Sequence, residues 1–167
     1  MALLLLSGSY AMASVNIVPL PTRVVEGNGS FALKSGQTIG VSSPALNNAA
    51  SYLKRILTRA TGYTIKTKSG AAQINLVLQT PRNEQDESYN LSVTPKKVLI
   101  KAHSYRGVIN GIASLRQLLP DEIEKHEVVS GVKWTVPAVQ IYDKPNFAWR
   151  GLMLDPVRHF YTVEETE

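Results

Sequence analysis

The residues best suited to chemistry lie near the C-terminal end, within residues 145–161, PNFAWRGLMLDPVRHFY. Arg150, Asp155, Arg158 and His159 crowd around a short apolar run, Leu152-Met153-Leu154. A run of this length bounded by turn signals suits a strand buried on both faces. Charges massed where such a strand ends are where α/β folds build binding sites. Asp155 can pair with Arg158 and hold the strand end, whereas His159 has no supporting partner that would make it a proton donor. Adjacent carboxylates, the usual material of acid-base pairs, occur at Asp86-Glu87, with Glu84 close by, and at Asp121-Glu122. The first group sits in a polar stretch, residues 80–88, where carboxylates are far more often solvated surface. His103 and His126 have no acidic or histidine partner at ligand spacing and read as surface histidines. The chain has no cysteine, which excludes disulfides, thiolate metal sites and a cysteine nucleophile. No metal and no cofactor is expected.

The elements that must hold these residues are legible from periodicity. Residues 43–60 form the clearest helix, with Ser43 able to cap it and Pro44 suited to its first turn. Leu46, Ala49, Ala50, Leu53, Ile56, Leu57 and Ala60 fall on one face, and Gly62 follows as a stop. Residues 104–119 give a second helix in which Gly107 and Gly111 lie one turn apart. Each costs about 1 kcal/mol of helix propensity, so something packs closely there. Strands are expected at 63–68, 74–79, 89–93 and 98–102, the last two joined by a turn at 94–97. Tyr89, Leu91 and Val93 alternate with Asn90 and Ser92, the pattern of a sheet with one covered face. Shorter strands are expected at 31–33 and 38–41, with a turn at 27–30. Asn28-Gly29-Ser30 matches a glycosylation sequon, and an Asn-Gly hairpin turn is the more economical reading. Residues 132–142 supply a last strand or two around Pro137. The expected fold is α+β, an antiparallel or mixed sheet with two helices on one face.

The phrase FAWRGLMLD followed by RHF resembles the segment that opens the catalytic barrel of glycoside hydrolase family 20, the β-N-acetylhexosaminidases. Pro156 departs from that pattern, where a small or β-branched residue is expected. YNLSVTPKKVLIKAHSYRGVINGIASLRQLLP resembles the family's strand-turn-strand-helix segment, and IVPLPTRVV followed by SFAL resembles the entry to the domain preceding the barrel. The resemblance implies an N-terminal α+β domain over residues 14–144 and the start of a (β/α)8 barrel over 145–167. It also implies retaining hydrolysis in which the substrate's own acetamide oxygen attacks the anomeric carbon, served by an adjacent Asp-Glu pair. The substrate would be a terminal N-acetylglucosamine or N-acetylgalactosamine of a glycan. By this resemblance Arg150 hydrogen-bonds the hydroxyls of that sugar, a task to which a guanidinium fork is suited. The alternative is an arginine that fixes the joint between domains. Asp155, Arg158 and His159 take supporting positions behind it.

No Asp-Glu pair here fits the family's catalytic motif, and a barrel needs roughly 250 residues. The chain therefore reads as a truncated N-terminal portion, inactive by itself, that packs against its missing barrel. A stand-alone scaffold or interaction domain is the alternative, and a short sugar-binding protein a weaker one.

Composition narrows the remaining choices. With 44% hydrophobic residues the chain is globular. The net charge of +5 reads as modest and spread along the chain, without the clustered Lys, Arg and aromatics of a nucleic-acid binder. The apolar run at residues 2–6, followed by Ala11-Met12-Ala13, reads as a signal peptide or its remnant over residues 1–13, implying a secreted or periplasmic protein. It is far too short to span a bilayer.

Overall fold

The computed structural model describes residues 15–80, 85–151, 153, 155 and 162. Among the described residues, seven strands form one sheet: β1 (Arg23–Ala32), β2 (Thr38–Val41), β3 (Lys66–Ser69), β4 (Ile74–Leu78), β5 (Tyr89–Thr94), β6 (Lys97–Ala102) and β7 (Thr135–Asp143). Two α-helices, α1 (Asn47–Thr61) and α2 (Tyr105–Gln117), accompany it. The strand order is β1-β7-β5-β6-β4-β2-β3.

The sheet is mixed. β1 with β7, β7 with β5 and β5 with β6 pair antiparallel. β6 with β4, β4 with β2 and β2 with β3 pair parallel. The change of sense has a chain-length cause. Parallel neighbours need a long crossover, and α1 supplies one between β2 and β3, whereas β5 and β6 need only a tight turn.

Alternation along the strands sends Tyr89, Leu91 and Val93, with Ile100, Leu76 and Ile141, toward the helices, where all are buried. The apolar stripe of α1 (Ala49, Ala50, Leu53, Ile56, Leu57, Ala60) joins Val108, Ile112 and Leu115 of α2 in the same core. Both helices therefore cover one face, as the alternation in β5 implies.

Four local expectations are corrected. The first helix begins as a short 3-10 turn, Pro44–Leu46, that Ser43 caps by accepting from the Ala45 N–H, and becomes α-helical only at Asn47. Residues 27–30 do not form a hairpin. β1 runs straight through them beside β7, and the register shifts between Glu26 and Ser30. Gly29 takes φ +86 within that irregularity, a conformation glycine adopts without steric cost. Pro137 does not split the last strand, because it pairs with Ser30 at the margin of the same irregularity, where one missing N–H is tolerated. The strand expected at 63–68 is shorter and later, Lys66–Ser69.

Among the described residues, no helix covers the opposite face of the sheet. Register places Arg23, Tyr142, Asn90 and Lys101 in one row across β1, β7, β5 and β6. Lys97 lies two positions before Leu99 on that face, and Lys66 and Lys68 stand beside Thr38 and Gly40 at the β3 edge. The positive charge is thus not spread evenly, as composition suggests: five cations share one face.

Candidate functional site

Arg150 is placed by what happens where β7 ends. Thr22 donates from its backbone N–H and from Oγ1 to Asp143 Oδ1, both at 3.0 Å, which ties the exit of β7 to the entry of β1. The chain then passes Lys144 and Pro145 and lies against the loop that precedes β5. That loop is built from α2 upward. Ser104 caps α2 by accepting from the Gly107 N–H at 3.1 Å, and its hydroxyl also donates to the Asp86 carbonyl. Asp86 Oδ1 accepts from the Ser88 N–H at 2.9 Å, and Asn110 donates to the Glu87 carbonyl at 3.1 Å. A Cβ at Gly107 would stand 2.5 Å from the Ser88 carbonyl oxygen, so glycine is required for the loop to cross here.

This crossing aims Glu87 at two arginines. Its carboxylate accepts from the Arg150 guanidinium and from Arg106 at 3.4 Å. Arg150 also donates to the Phe147 carbonyl at 2.6 Å. The Glu87 side chain is only 14% exposed, against 45% for Arg150 and 72% for Arg106. The hydrogen bond from Arg150 outweighs the opposing effect of burial and holds the Glu87 carboxyl below the usual glutamate range. A groove of ≈ 420 Å³ opens between this ion pair and residues 144–148. A second groove of ≈ 360 Å³ adjoins it along α2, past Asn110, Ser114 and Gln117. There the Gln117 amide both donates to and accepts from the backbone of Val18, and the Tyr89 and Ser114 hydroxyls share a 2.6 Å hydrogen bond. Burial pushes the Tyr89 phenol up.

The arrangement can hold a ligand and offers no acid-base pair. A carboxylate kept ionised by two guanidinium groups has the opposite of the raised pKa a general acid needs. Among the described residues no group of three metal-ligating side chains occurs, and no helix is long and apolar enough to cross a membrane.

Of the residues singled out from sequence, Arg150 lies at this groove. Asp155 is described and exposed. Arg158 and His159 lie outside the described residues, and with them the expected Asp155–Arg158 pair; Glu84 lies outside them too. Asp121 and Glu122 stand in a short 3-10 turn away from the groove, where the nearby Glu124 pairs with Arg116. His103 is held by its Nδ1 at 2.7 Å from the Thr80 carbonyl. Glu87 is the residue that sequence reasoning missed. Its carboxylate is not solvated surface but the partner of a residue 63 positions away. The one local signal was Ser104 at the helix start, which brings the loop onto α2.

Comparison with known proteins bears on the same chain. The profile described as glycosyl hydrolase family 20, domain 2, matches residues 14–144. A β-hexosaminidase of Porphyromonas gingivalis is 34% identical over 155 residues, covering 90% of this chain and 20% of that protein. A β-N-acetylhexosaminidase of Cellulomonas fimi is 31% identical over 160 residues, covering 92% of this chain and 31% of that one. Among solved structures, the N-acetyl-β-hexosaminidase of Streptomyces plicatus superposes with a TM-score of 0.79 at 36% identity, over 89% of this chain and 30% of that one. The chitobiase of Flavobacterium johnsoniae gives 0.72 at 31% identity, over 90% and 24%. The chain thus spans between a fifth and a third of the length of these relatives.

Proposed function

Because the chain belongs to glycosyl hydrolase family 20, we propose that it is the N-terminal portion of a β-N-acetylhexosaminidase, an α+β domain leading into the first strand of a catalytic barrel. In the whole enzyme, terminal N-acetylhexosamine is removed from glycans by substrate-assisted retaining hydrolysis. Arg150 grips the sugar hydroxyls, with Asp155, Arg158 and His159 behind it. The observation that carries this reading is the continuity of the chain. β7 ends at Asp143, and the segment bearing Arg150 follows directly, with Phe147, Trp149 and Met153 at 74%, 86% and 90% exposure. Apolar side chains this open, in a row, are suited to burial against a further layer of structure.

By itself the chain is inactive, because the described carboxylates include no pair placed for acid catalysis. A chromogenic N-acetylglucosaminide tests this, and turnover by the purified chain would sink it. Joined to a family barrel, Arg150→Gln should lower kcat/KM by about tenfold to a hundredfold, the cost of losing charged hydrogen bonds.

A second reading has one observation in its favour. The Glu87 carboxylate engages Arg150 from within this domain, as expected if the arginine fixes the joint of a scaffold domain. On that reading Arg150→Gln and Glu87→Gln lower the stability of this chain alike, and joined to a family barrel they leave KM unchanged. The N-terminal residues 1–13 add an export signal to the proposal, placing the enzyme in the periplasm or outside the cell. Mass spectrometry of the mature N-terminus checks this, with cleavage after Ala13 as the expected result.

A further inference from the structure

The helix-free face of the sheet has no role in the reading above, and its chemistry is distinctive. Arg23, Lys66, Lys68, Lys97 and Lys101 project from it. No Asp or Glu occupies a strand position on this face, and no ion pair among the described residues involves any of the five. Their number equals the chain's net charge of +5. A groove of ≈ 530 Å³ runs across the centre of the face, and Asn90, Ser92, Gln140 and Tyr142 line it between Arg23 and Lys101. We propose that this face binds an acidic polysaccharide, a glycan chain bearing carboxylate or sulfate groups.

Spacing argues for an extended ligand. Arg23 and Lys101 share a row three strands apart, and Lys97 and Lys101 lie four residues apart along one strand. Either separation is about 14 Å at strand geometry. That exceeds the Debye length of about 8 Å at physiological salt and the reach of any single small anion. Only a polymer carrying charges at intervals can satisfy several of these cations together.

The intervening side chains argue for a glycan. Amides and a hydroxyl fill the gaps and can hydrogen-bond sugar hydroxyls. Tyr142, 38% exposed, offers one ring face. Single-stranded nucleic acid calls for successive aromatic platforms, and this groove has one. An anionic membrane surface would favour apolar side chains that insert from projecting loops, and here Val25, 44% exposed, and the part-buried Leu99 sit in strands β1 and β6. The proposal does not depend on the hydrolase reading, since its readout is binding by this chain alone.

The test is calorimetric titration of the 167-residue chain with alginate, heparin and neutral dextran, at about 0.01 M and about 0.15 M salt. Alginate or heparin should bind, more weakly at the higher salt, and dextran should not. The double variant Arg23→Gln/Lys101→Gln should weaken binding by about tenfold. The control Lys54→Gln/Lys125→Gln, which removes the same charge from exposed positions on and near α1, should change it less than about twofold. All four positions are at least partly exposed on the surface, so unchanged thermal midpoints would verify folding. Equal losses in both variants would overturn the proposal, as would dextran binding equally well or no binding at low salt. Tighter binding of duplex DNA or of phosphatidylserine vesicles than of either polysaccharide would overturn it too, by assigning the face to another polyanion.

Discussion

Glu87 is the residue whose role changes most between its local setting and its place in the fold. In the loop it is one of three neighbouring carboxylates; in space it is gripped by Arg150 and Arg106. Its carboxyl is held below the ordinary glutamate value, chiefly by the hydrogen bond from Arg150. A group whose folded pKa is depressed contributes stability that is present above the unfolded value, about 4.3, and is lost as pH falls through the lowered folded value. The carboxyl-carbon resonance of the Glu87 side chain should therefore titrate with a midpoint below that of a free glutamate, and Glu87→Gln should remove that signal. A midpoint at or above the ordinary glutamate value would mean that the pair does not persist in solution. Because both arginines are substantially exposed, the accompanying change in stability should be small, within about 1 kcal/mol.

α2 shows how one element carries both packing and site. Gly111 sits against β6, where an added Cβ would come 2.6 Å from Ile100 Cγ2 and 3.2 Å from the Tyr89 ring. The close packing implied by two glycines a turn apart is what the helix needs to approach the sheet. Gly111→Ala should destabilise the fold by about 1–3 kcal/mol through overpacking, despite alanine's better helix propensity. Ser104→Ala removes the cap and the hydroxyl that donates to Asp86, and should cost about 1–2 kcal/mol in urea unfolding. It should also loosen the loop that presents Glu87, which an earlier onset of proteolysis between residues 85 and 88 would reveal. β1 makes the opposite point. Asn28-Gly29 has the composition of a hairpin turn, yet the strand continues through it, because β7 offers pairing partners on both sides of the irregularity. Tertiary pairing overrides local turn chemistry there.

Across the whole molecule, helices and sheet share one continuous core from Ile17 to Ile141. Unfolding should therefore be a single transition. Trp134 is buried and Trp149 is 86% exposed, so in a Trp149→Phe background the fluorescence of Trp134 should report the core alone. Its urea transition should coincide with the loss of far-UV circular dichroism. Separate midpoints would mean that the β2–β3–β4 half and the β1–β7–β5 half unfold independently.

Much of this architecture was written in local patterns. The apolar stripes of both helices, the β5–β6 hairpin, the alternation that leaves one sheet face open and the close approach at Gly107 and Gly111 all follow from periods of 3.6 and 2, which neighbouring residues express by themselves. The phrase around Arg150 was likewise distinctive enough to point to the family. Strand order, the mixed sense of the sheet, the grip of Glu87 on Arg150 and the gathering of five cations on one face were not legible. Each depends on which distant segments pair and in what register, and pairing is decided by how the shared core closes. A lysine's face follows from its strand; its neighbours follow only from the fold.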